Sequence, residues 1–136
     1  MREGDGVKNR FQGSELTAER GAPAWDMAAA LELVEGDREL VEELANLFAE
    51  ECPNALAEMR GALESNDAAL LERLAHTMKG SSANIGATGT SQLALVLESQ
   101  ARSGKLDGAR EQFALLEAEA GRLLAELRAL SSKAAT

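Results

Sequence analysis

The sequence predicts an all-α fold, an antiparallel up-down four-helix bundle with a short extra helix at its N-terminal end. Three observations predict it. Ala, Leu and Glu dominate the 136 residues, while Tyr is absent and aromatic residues make up 3%, a palette of helices packed by aliphatic layers rather than of sheets. Apolar residues recur at steps of three and four through several long segments, the spacing of one helix face. Short turns separate those segments, so neighbouring helices run antiparallel. The length suits one domain with a continuous core.

Residues 1–23 mix Gly and charge without a period and are expected to form a flexible linker or tail, because they bury too little to offset ordering entropy. Residues 24–131 are assigned to the bundle and 132–136 to a frayed end. The short helix runs from Trp25 or Asp26 through Met27, Leu31 and Val34 to a stop at Glu35-Gly36. From Asp37 to about Glu64 a stripe of Leu40, Leu44, Phe48, Cys52, Ala55, Met59 and Leu63 stays in phase through Pro53, which predicts one bent helix rather than two. Ser65-Asn66-Asp67 supplies a turn and an N-cap. A third helix, from about Asp67 to Ile85, is broken by Gly86-Ala87-Thr88-Gly89. A fourth then runs from near Thr90 to near Ser103-Gly104. Leu93, Leu95, Val96 and Leu97 crowd its first turns and leave its outward face open. The last helix, about Leu106 to Leu130, repeats Phe113, Leu116, Ala120, Leu123, Leu127 and Leu130 as a bundle seam.

A formal net charge of -9 with no basic cluster argues against nucleic acid and against an anionic membrane surface. No apolar run approaches the roughly 20 residues of a membrane span, and the first residues lack the apolar stretch of a secretory signal. A cytoplasmic, monomeric protein is expected. Cys52 is alone, on an apolar helix face, and is assigned to packing. No Cys/His group has metal-ligand spacing, so no metal or cofactor is expected. A single outward His also cannot build the interior of a metal bundle.

The chemistry therefore falls on the third helix. With Leu71, Leu74, Met78 and Ile85 defining its core direction, His76 lies roughly 165° away and faces outward. Lys79 and Gly80 share its face, and Ala69 and Ala83 lie further out along the helix. A neutral imidazole can attack an activated phosphoryl group and carry it, while a nearby ammonium offsets the charge gained. Gly in an exposed helix interior costs up to about 1 kcal/mol relative to Ala. Clearance for another protein is one reason for Gly80; close helix packing is the other.

The run His76-Thr77-Met78-Lys79-Gly80-Ser81-Ser82-Ala83-Asn84-Ile85-Gly86-Ala87 strongly resembles the signature of the histidine phosphotransfer domains of bacterial phosphorelays. The resemblance extends from about Trp25 to Leu130. It implies that His76 accepts a phosphoryl group from a receiver-domain aspartyl phosphate and passes it to another receiver aspartate. Lys79 then supports the phosphohistidine, Gly80 gives clearance, and Ser81 and Ser82 begin the inward-facing part of the helix. The partners implied are response-regulator receivers and a histidine kinase or hybrid kinase, with Mg²⁺ on the receiver alone. Consistent with a carrier that is not itself an enzyme, no Gly-rich phosphate loop is present. Receiver contacts are expected around His76, at Ala69, Arg73, Thr77 and Ala83. Glu98 and Arg102 fall where relatives often place polar residues near the active histidine. Glu98 either orients the imidazole or forms an ordinary pair with Arg102 on a solvated face, and the second is favoured. The alternative function is a bundle of the same shape that binds a receiver without being phosphorylated. A stand-alone protein and a fragment of a larger kinase both fit.

Overall fold

The structure is a computed structural model that describes residues 23–135, with side chains through Leu130. Residues 1–22 of the expected tail, and Thr136, lie outside the described residues. The described elements are five helices: α1 Met27–Leu33, α2 Arg38–Glu64, α3 Ala68–Asn84, α4 Thr88–Arg102 and α5 Ala109–Ala135. Helices α2 to α5 pack in a ring, each against the next and α5 back onto α2. This is the all-α bundle expected.

Three aspartates start three helices by the same chemistry. Asp26, Asp37 and Asp67 each precede the first turn and accept from the backbone N–H of Ala28, Leu40 and Leu70, pairing donors that a helix leaves orphaned. α1 stops where Glu35 and Gly36 enter the left-handed region at φ 55° and 86°, with the Gly36 N–H returning to Leu31 O at 2.8 Å. α4 has no side-chain cap. Instead the buried carboxylate of Glu119 on α5 lies against its first turn, so close that a Cβ on Gly89 would come within 2.9 Å of Glu119 Oε2. A negative charge there favours the helix dipole, and Arg122 holds the carboxylate in place at 2.6 Å.

The structure moves several boundaries and faces. α2 runs unbroken through Pro53 for 27 residues, as its stripe requires. Its core face, however, is Val41, Ala45, Phe48, Cys52, Leu56, Met59, Ala62 and Leu63. Leu40 is exposed, and Leu44 and Ala55 are only half-buried. Phe48, Cys52, Met59 and Leu63 are in the core as expected, and at three places the next residue is the buried one: Val41 for Leu40, Ala45 for Leu44 and Leu56 for Ala55. α4 starts two residues earlier than expected. α5 starts at Ala109 rather than Leu106 and continues to Ala135, where a frayed end was expected. On α4, Leu97 is buried and Leu93 half-buried, whereas Leu95 and Val96 point outward.

α3 and α4 form the most extensive helix pair. Ala75 and Ser82 on α3 and Ala94 and Ala101 on α4 are fully covered, and their small side chains let the two backbones come close. Ser91 Oγ donates across the pair to Lys79 O at 3.0 Å. The α3–α4 turn is in turn covered by α1. Gly86, at φ 75°, sits so near Ala30 that a Cβ would lie 3.2 Å from its backbone nitrogen. Trp25 Nε1 donates to Ile85 O at 2.6 Å, while Glu126 on α5 accepts from the N–H groups of Ala24 and Trp25, each at 2.9 Å. Cys52 is buried, and burial pushes its thiol up to about 11, which suits packing and not reactivity.

Candidate functional site

His76 stands in the middle of α3 with its side chain 65% exposed. Along the same helix, within two turns on either side, Ala69, Arg73, Thr77, Gly80 and Ala83 are also exposed. A Cβ at Gly80 would meet nothing within 4 Å, which removes close helix packing as the reason for a glycine there. Open space above the helix remains.

Glu98 is where the structure departs most from the solvated pair that sequence favoured. Its side chain is only 5% exposed, because the small residues between α3 and α4 bring position 98 under the α3 backbone. Glu98 Oε2 accepts from His76 Nδ1 at 2.9 Å and from Arg102 Nη2 at 3.0 Å. Oε1 pairs with Lys79 Nζ at 2.8 Å. The Lys79 hydrogen bond has the largest effect on this carboxyl and lowers its pKa. Desolvation opposes it, and the bond from His76 adds to the lowering, so the net is below its ordinary value. Glu98 is therefore ionised at neutral pH and can only accept, which requires that Nδ1 carry the proton. The lone pair of the imidazole is then on Nε2, the nitrogen turned away from Glu98.

The Glu98–Arg102 pair four residues apart does exist, but as one edge of a larger cluster. Arg102 Nε also donates to Glu72 Oε2 at 2.9 Å, and Glu72, ahead of Glu98, raises the pKa of the guanidinium. Lys79 is drawn towards α4, with its side chain 30% exposed, instead of projecting free beside the imidazole. Two carboxylates and two cations thus surround the imidazole. A shallow cleft at this place is lined by His76, Glu98, Arg102 and Glu72 with Ala69, Arg73 and Thr77. Ala83 lies further along α3, outside that cleft. Ser82 is buried and donates to Met78 O at 2.6 Å, and Ser81 is half-buried. Sequence reasoning missed Glu72, although its place one turn before His76 and its charge opposite to Arg102 were both readable. It also left Leu95 unassigned. That residue is 46% exposed on the edge of α4 between Ser91 and Glu98, beside the site.

A family model for the Hpt domain matches residues 43–132. The chain belongs to the Hpt domain family. This Hpt domain is thus a histidine phosphotransfer module of phosphorelays, and the exposed imidazole, buried carboxylate and lysine lie within the matched span. Among solved structures, it resembles the histidine-containing phosphotransfer protein B (HptB) from Pseudomonas aeruginosa PAO1. The two are 26% identical with a TM-score of 0.75, over 83% of this chain and 98% of that one. It also shares its fold with the HPT domain of the Hpt sensor hybrid histidine kinase from Shewanella, at 18% identity and a TM-score of 0.74, over 81% of this chain and 95% of the other. No curated protein sequence matches it. Among the described residues no helix is long and apolar enough to cross a membrane, and no cluster of His, Cys, Asp and Glu could hold a metal ion.

Proposed function

We propose that His76 is the phosphoryl carrier of this Hpt domain and that Nε2 is its reacting atom. The observation that supports this reading is the bond from Nδ1–H to buried Glu98 on an otherwise exposed imidazole. In the forward step the Nε2 lone pair attacks the phosphorus of a receiver's aspartyl phosphate. The Nε2–P bond forms as the P–O bond to aspartate breaks, and the aspartate leaves as a carboxylate. Nδ1 keeps its proton, and the positive charge that develops on the ring faces the Glu98 carboxylate. Transfer to a second receiver aspartate reverses these bond changes.

Lys79, one turn after His76 on α3 and paired with Glu98, offsets the charge of the phosphoryl group. Gly80 leaves room for the receiver's active site, and Ala69, Arg73, Thr77 and Ala83 form the surface on which it docks. Exposed Leu95 extends that surface with an apolar contact of the kind that anchors protein interfaces. The Mg²⁺ used in transfer belongs to the receiver, and the domain acts as a cytoplasmic monomer with no catalytic or nucleotide site of its own.

The test is transfer from a phosphorylated receiver to the purified protein. Label is expected on wild type as an acid-labile, base-stable phosphate, and none on His76→Gln. Equal labelling of His76→Gln would overturn the proposal. Receiver binding without labelling of wild type would instead favour a bundle that binds and does not carry.

A further inference from the structure

The cluster around His76 contains two charged groups that the transfer reaction does not itself use, Glu72 and Arg102. Glu72 lies one turn before His76 on the same face of α3. Its carboxylate holds Arg102 Nε at 2.9 Å, while Arg102 Nη2 reaches Glu98 Oε2, the same oxygen that binds His76 Nδ1. The guanidinium and the imidazole are therefore linked by two hydrogen bonds that share one carboxylate oxygen. The Arg102 side chain is 61% exposed and has five N–H donors in a planar fork, of which its bonds to Glu72 and Glu98 use only two.

A phosphoryl group on Nε2 would bring up to two negative charges to the cleft that His76 shares with Arg102. Guanidinium binds phosphate oxygens bidentately and strongly, so a free Arg102 would clamp the phosphohistidine. Glu72 holds the Nε side of the fork and, with Glu98, anchors the guanidinium on the Nδ1 side of the ring. Such a restraint suits a carrier, which must give up its cargo as readily as it takes it.

Resting on the reading of His76 as the carrier, we propose that Glu72 is a positioning residue: by restraining Arg102 it limits how tightly the phosphohistidine is held, and so favours passing the group on over storing it.

The experiment charges the purified protein with phosphoramidate, whose P–N bond breaks as the Nε2–P bond forms and ammonia leaves. The donor is then removed and the decay of phosphohistidine followed by ³¹P NMR in wild type, Glu72→Gln, Arg102→Ala and the double variant. The phosphohistidine half-life is expected to lengthen at least three-fold in Glu72→Gln, with no added effect of Glu72→Gln in the Arg102→Ala background. A change in fold alone would not give that dependence on Arg102, and far-UV melting checks that all four proteins are folded. A wild-type half-life in Glu72→Gln, or an equal lengthening with and without Arg102, overturns the restraint while leaving the carrier reading intact. Failure of wild type to take label at His76 overturns both.

Discussion

Glu98 shows what one buried charge does for the site. Its carboxylate is covered, yet three donors reach it, so its ionised form is favoured and its pKa lies below the ordinary value. A depressed carboxyl adds stability that is fully present above its unfolded-state value, about 4.5, and is lost as pH falls through the lower folded-state value. Glu98→Gln removes the charge and weakens the grip on Nδ1–H. The variant should therefore melt below wild type at pH 7, with the gap narrowing as pH falls below about 4.5, as thermal melts followed by circular dichroism would show. Its phosphorylation by phosphoramidate should slow by about ten-fold or more, the scale on which partners that orient reactive groups act. Gly80 makes the opposite case. Since a Cβ there meets nothing, Gly80→Ala should stabilise the helix by about 0.5–1 kcal/mol. It should leave charging by the small donor unchanged and slow charging by a phosphorylated receiver, which parallel assays with the two donors would separate. His76, Lys79 and Gly80 were legible in the sequence because they share one face of one helix. Glu98 was legible as a position but not as a buried group, since its burial depends on how closely α4 lies against α3.

Elements with local start signals were read well, and those whose bounds depend on neighbours were read less well. Asp26, Asp37 and Asp67 announce α1, α2 and α3 from within a few residues. The start of α4 is different, because its charge partner, Glu119, comes from α5. The face of α2 was misplaced by one residue at three places for a related reason: Val41 and Ala45 outrank Leu40 in contact, and only the packed bundle reveals it. Gly86 ties these levels together. It needs the left-handed region, which costs a non-glycine residue roughly 1–2 kcal/mol, and it touches the α1 backbone at Ala30. Gly86→Ala should therefore destabilise the domain by about 1–3 kcal/mol, measured by urea unfolding, while the phosphorylation of the folded fraction is preserved.

At the scale of the whole molecule, the bundle is a scaffold that presents one face of α3, with the exposed His76, to solvent. α2 and α5 supply the apolar layers, and α4 supplies the carboxylate and the guanidinium. The N-terminal residues lock the far end, with Trp25 bonded to Ile85 O and Glu126 bonded to the backbone of Ala24 and Trp25. That lock was invisible in sequence because its partners are 60 and 101 residues apart. The order of helices and the bundle itself were visible, since each follows from a local period and a short turn.

The proposed carrier role rests on one atom of His76. Because Glu98 occupies Nδ1–H, the carrier reading places the phosphoryl group on Nε2. Two-dimensional ¹H–¹⁵N and ³¹P spectra of the ¹⁵N-labelled, phosphorylated protein distinguish the two ring nitrogens by their coupling to phosphorus. The expected result is a single phosphohistidine with phosphorus bonded to Nε2. Phosphorus on Nδ1, or on any residue other than His76, would contradict it.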